Sequence, residues 1–244
     1  MGMLSNKIDR KQLKPGDHIY SWRQAYLYAH HGIYVGDGMV INFTTSVQQA
    51  AGARTPTILE RFFTSSAPKF NTPCPRCGYG DRTRTNGIIK SCLDCFLSGG
   101  ELYLFQYGVS YAVFLAQARG GTCTLASSDS TEVVLHRAFY LLENGFGSYN
   151  VFKNNCQDFT IYCKTGLLLA QSGRQAVSFL AAASAMASSS TGLAISGIFG
   201  MTFFGCGTYC IKRLVFDIGF RHEVIKDVTK VPVEKIPEMA RGGN

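Results

Sequence analysis

Cys156 stands in the stretch Asn154-Asn155-Cys156-Gln157-Asp158-Phe159, in the first turn of a helix predicted to begin at Asn155. A cysteine at a helix N-terminus meets unpaired backbone N–H groups and the positive end of the helix dipole, and both favour the thiolate, its nucleophilic form. Far upstream, Ala29 to Phe43 reads as a strand, a Gly36-Asp37-Gly38 loop and a return strand. An imidazole on such a strand can take the thiol proton, and a third polar side chain can orient the ring. With a three-residue loop, Asn42 lies across from Gly32 and diagonal to His30, on one face; a one-residue slip would turn it to the other. His30, Gly32 and Tyr34 share that face, while His31, Ile33 and Val35 share the opposite one. Cys156 is therefore the candidate nucleophile, His30 the candidate base and Asn42 the candidate orienting group, and His31 reads as a packing residue.

A second constellation is Cys74-Pro75-Arg76-Cys77 and Cys92-Leu93-Asp94-Cys95. Two such knuckles can supply four thiolates to one tetrahedral Zn²⁺, a closed and therefore structural site. Cys74, Cys77, Cys92 and Cys95 are the expected ligands, with four reduced thiols or two disulfides as the alternatives. The chain has nine cysteines, an odd number, which fits a reducing compartment better than a secreted disulfide framework. Cys123, Cys163, Cys206 and Cys210 have no partner spacing and read as packing residues, the last two also as lipidation sites.

The elements that must hold these groups fit within 244 residues, of which 46% are hydrophobic and 16% charged, a balance that excludes a disordered chain. A helix is predicted over 129–144, capped by Asp129 with Glu132 three residues on and an apolar face of Leu135, Ala138, Phe139 and Leu142. A second is predicted from Asn155 to Leu169, and a strand over 102–107. The net charge of +8 suits nucleic acid, phospholipid headgroups or an acidic partner. Neither a stacking platform nor a recognition helix accompanies it, so nucleic acid is not expected. The N-terminus lacks the apolar core of a signal peptide. Residues 175–211 carry no charge and divide at a Ser-Ser-Ser-Thr run; Gly192, Ser196 and Gly200 recur at the spacing that lets membrane helices approach. That segment reads as embedded in a membrane, with a buried helical hairpin as the alternative, and 212–244 as a polar tail.

Three ordered motifs, Leu13-Lys14-Pro15-Gly16-Asp17, His30-His31-Gly32-Ile33-Tyr34-Val35-Gly36-Asp37-Gly38 and Asn155-Cys156-Gln157-Asp158-Phe159, resemble the lecithin:retinol acyltransferase domain, over roughly residues 10–170. The cysteine-pair insert, 70–98, and the Ala-rich segment resemble its plant-type members. The resemblance implies an α+β fold, a small antiparallel sheet packed with helices, permuted relative to papain-like thiol hydrolases. It implies a cysteine that takes an acyl chain from a phospholipid as a thioester and passes it to water, an amine or an alcohol. Cys156 matches the nucleophile and His30 the base. Asn42 stands where the family usually has His, and Gln157-Asp158 where it has Glu-His. An intracellular, membrane-associated enzyme, on the cytoplasmic face or in a plastid, is thus one reading. The other is a weakly active or inactive domain that docks to a membrane or a protein partner.

Overall fold

Period-two alternation builds the sheet. Ile33 and Ile41 point to one face and Ile19 and Val40 to the other, so the central strands are covered by apolar side chains on both sides. In the computed structural model, residues 6–23, 28–44, 74–78, 87–117, 120–147, 154–168 and 209–241 are described. Five antiparallel strands, β1 (His18–Arg23), β2 (Tyr28–Gly36), β3 (Met39–Phe43), β4 (Ile88–Cys92) and β5 (Tyr103–Leu104), lie in the order β4-β3-β2-β1-β5. Helices α1 (Leu93–Leu97), α2 (Tyr111–Ala116), α3 (Thr131–Asn144) and α4 (Cys156–Thr165) follow in chain order. The α+β class and the antiparallel sheet agree with the expectation from sequence.

The β2–β3 connection decides which side chains share a face. Ile33 pairs with Ile41 and Tyr34 with Val40, so Asn42 lies across from Gly32, as the loop argument requires. The geometry differs in detail: Gly36 pairs with Met39, and a bulge between Tyr34 and Gly36 takes up the extra residue. Asp37 and Gly38 hold the turn at φ 51° and 69°, the two left-handed central residues of a type I′ hairpin turn.

Each face of β2 has its own cover. Ile33, Ile41, Phe43 and Ile88 pack on Val134, Ala138 and Leu141 of α3 and on Phe159, Tyr162 and Cys163 of α4. The other face, with Ile19 and Val40, packs on Leu93, Phe96 and Leu97 of α1. Gly32 permits this close approach, because a Cβ there would lie 2.6 Å from Val40 Cγ1 and 2.9 Å from Phe96 Cε2.

Several boundaries differ from expectation. α3 is capped by Ser130, not Asp129, whose carboxylate is taken instead by Arg137 and Lys230. Its buried stripe is Val134, Ala138 and Leu141, while Phe139 is exposed beneath the Lys90 ammonium. α4 stops at Thr165 because Gly166 turns left-handed at φ 69°, four residues before the expected Leu169. β5 spans two residues rather than 102–107. The second cysteine knuckle is not an appendage, since β4 is the sheet's edge strand. Most of the charge-free run, 175–208, lies outside the described residues, and no helix among those described is long and apolar enough to cross a membrane.

The segment read as a polar tail also belongs to the core. Ile218 and Val228 join Tyr20, Phe105 and Ile161; Val233 and Ile236 join the cluster under α3 and α4. Asp217 accepts the backbone N–H groups of Gly219, Phe220 and Leu125, which ties the segment to the loop before α3. Ile236→Ala should therefore cost about 2–5 kcal/mol in urea unfolding, the range for deleting a buried isoleucine side chain. A loss below about 0.5 kcal/mol would show that the C-terminal segment contributes nothing to the core.

Candidate thiol site and four-cysteine cluster

Asn155 makes the N-terminus of α4. Its side chain accepts from the backbone N–H of Gln157 at 2.9 Å and of Asp158 at 3.3 Å, and the Asp158 carboxylate takes the Asn155 N–H at 3.1 Å, completing a capping box. Cys156 is the first helical residue, is buried, and points its thiol at the Ala29 carbonyl, 3.9 Å away. That carbonyl belongs to the peptide bond joining Ala29 to His30, near the start of β2.

His30 and Asn42 come together as the register requires, with Asn42 Nδ2 3.0 Å from His30 Nε2. Ser91 of β4 reaches the other amide atom, Oδ1, at 3.3 Å. The ring lies 5.1 Å from that of Phe96. Burial, with the Arg23 guanidinium nearby, pushes His30 down to about 3, so the imidazole is neutral throughout the ordinary pH range. His30 and Asn42 sit on the α1 face, whereas the body of α4 packs on the opposite face. Cys156 meets β2 through the Ala29 backbone.

Sequence reading missed a polar chain on the α4 face. His31 is fully buried, and its Nδ1 lies 2.8 Å from His18 Nε2. His18 Nε2 is also 2.9 Å from the Thr160 hydroxyl, and His18 Nδ1 is 2.7 Å from the Tyr107 hydroxyl. Thr160 is one turn along α4 from Cys156 and bonds back to its carbonyl. With both rings neutral, one proton lies between them. Either His18 donates to His31 and accepts from Tyr107, or His31 donates to His18, which donates to Tyr107. In both arrangements His31 Nε2 is buried with no hydrogen-bond partner among the described residues. Only the β1–β2 register, Tyr20 opposite His31, brings these rings together, and the local sequence carries no sign of it.

Burial lowers both His18 and His31, the latter to about 3, with each helped by a neighbouring imidazole. The unfolded chain protonates each below about pH 6.5, while the folded chain does not. Stability is thus intact above pH 6.5 and falls as the pH drops below it, by about 1.4 kcal/mol per pH unit for each histidine. Urea unfolding should lose about 2–3 kcal/mol between pH 6.5 and 5.5. A flat profile across that window would mean that the pair is protonated in the folded protein.

The four cysteines Cys74, Cys77, Cys92 and Cys95 converge, their sulfurs all within 4.8 Å of one another. Cys77 and Cys95 are 3.7 Å apart, far beyond a disulfide bond and close to the ~3.8 Å edge of a tetrahedron with metal–sulfur distances of ~2.3 Å. The backbone N–H of Arg76, with that of Cys77, brings Cys74 down to about 7, while burial raises Cys95. The donor set fits a soft or borderline cation such as Zn²⁺. Cys92 ends β4 opposite Met39, and Cys95 lies in α1. Asp94 accepts from both Arg76 and Arg10, holding the first knuckle against the second and against the N-terminal segment.

A family model described as lecithin retinol acyltransferase matches residues 11–169. Protein LEAD-SENSITIVE 1 of Arabidopsis thaliana is 51% identical over 251 residues, covering 100% of this chain and 93% of that protein. No solved structure matches.

Proposed function

The chain belongs to the lecithin retinol acyltransferase family, and from that membership we propose that it is a slow thiol acyltransferase or phospholipase acting on membrane phospholipid. The family supports acyl-transfer or thiol-hydrolase chemistry in general. The observation that carries the specific reading is the contact between Asn42 and His30 Nε2, the two residues at the family's base and orienting positions, with Cys156 at the capped start of α4. With Nε2 engaged by Asn42, Nδ1 is the ring atom left to take the thiol proton, which requires the amide oxygen and not Nδ2 to face the ring. The sulfur attacks the acyl carbonyl, the ester C–O bond breaks, and His30 returns the proton to the departing alcohol. In the second half an acceptor O–H or N–H gives its proton to His30 as its oxygen or nitrogen attacks the thioester carbonyl; the C–S bond breaks, and His30 returns the proton to the Cys156 sulfur.

The base is weak. Asn42 adds no charge to steady an imidazolium, and burial opposes one. That weakness favours the second reading, a docking domain with little turnover. Single-turnover acylation with a labelled phospholipid, read by mass on Cys156, separates the two. We expect an adduct on the parent, a loss of about ten- to a thousand-fold in Asn42→Ala, and equal or faster reaction in Asn42→His. No adduct on the parent but recovery in Asn42→His would favour the docking domain.

For the four-cysteine cluster we propose one structural Zn²⁺ held by Cys74, Cys77, Cys92 and Cys95, supplying rigidity and no reaction step. One zinc equivalent should co-purify and be lost in Cys92→Ser; less than about a tenth of an equivalent in reduced protein would rule the site out. The Arabidopsis relative is named for sensitivity to lead. In this chain the thiolate cluster is where such a cation would compete, and zinc release on titration with Pb²⁺ tests it.

A further inference from the structure

Ser91 is fully buried, and nothing in the acyl-transfer chemistry requires it. Strand pairing sets it opposite Val40, which puts its hydroxyl on the face that carries Asn42 and His30. We infer that Ser91 is a positioning residue of the thiol site, whose hydroxyl chooses the orientation of the Asn42 amide and, through it, the tautomer of His30. The inference rests on the reading of His30 as the base.

The amide of Asn42 is buried and has two orientations. In the one observed, Oδ1 faces Ser91 at 3.3 Å and Nδ2 faces His30 Nε2 at 3.0 Å. Nδ2 can only donate, so Nε2 is bare and the ring proton sits on Nδ1, where it blocks the base. Turned over, Oδ1 accepts the Nε2–H and Nδ2 donates to Ser91; Nδ1 is then bare and able to take the thiol proton. The two states differ at His30 by the position of one proton and at Ser91 by whether the hydroxyl donates or accepts. A hydroxyl is suited to both roles, whereas a methyl group serves neither and leaves one buried amide atom without a partner in either state. Phe96 packs on the same ring and limits its rotation, so the amide and not a swing of the imidazole carries the choice.

The test uses the full-length chain with ¹⁵N-labelled histidine at pH 7. The parent should show His30 with one protonated and one bare ring nitrogen. Ser91→Ala should give averaged shifts from a mixture of tautomers and change single-turnover acylation of Cys156 by about threefold or more. Ser91→Thr, which keeps the hydroxyl, should restore both. Zinc content and the urea midpoint, measured alongside, separate this from a folding defect. If Asn42→Ala moves the His30 signals and the acylation rate while Ser91→Ala moves neither, Ser91 takes no part and the inference is overturned. If neither substitution changes acylation, the assignment of His30 and Asn42 fails first, and this inference with it.

Discussion

The ladder between β3 and β4 joins Met39 to Cys92, Val40 to Ser91, Ile41 to Lys90 and Asn42 to Ile89. Two sites hang on it. One end places Cys92 for the four-cysteine cluster; the other buries Asn42 beside His30. Removing that pairing would leave the Asn42 amide facing water and the second knuckle without its strand. The cluster and the thiol site are therefore not modules placed side by side. They share one strand, and α1, which carries Cys95, supplies the Phe96 ring that rests on His30.

Arg23 reinforces the same junction. Its guanidinium donates to the carbonyls of Phe96 and Leu97, satisfying the C-terminal end of α1 where a short helix would otherwise leave acceptors unpaired. It also adds positive charge near His30, which helps keep the imidazole neutral. The same contact that fixes the cover over the ring thus weakens the ring as a base.

Much of this was readable before any coordinates. Period-two alternation and the glycine-rich turn placed Asn42 with His30, and the bulge preserved that pairing although the turn is tighter than a three-residue loop. Asn155 announced the start of α4, and the Cys-x-x-Cys spacing announced the cluster. What escaped was everything set by long-range partners. Asp129 and Ser130 are both capping types, and only Arg137 and Lys230 decide that Asp129 is occupied elsewhere. His18 and His31 meet through strand pairing that no local pattern encodes. Ile218, Val228, Val233 and Ile236 are too widely spaced among polar neighbours to read as core, yet each fills a gap beneath a helix or the sheet.

The return of the C-terminal segment has a topological consequence. Leu167 pairs with Lys230, and the Tyr209 hydroxyl accepts the Gly120 N–H, so the chain on either side of 169–208 is fastened to one folded body. Residues 209–241 therefore belong to the same folding unit as the sheet. Cutting the backbone between 168 and 209 would leave two fragments that share one core, so neither fragment could keep its apolar side chains buried without the other.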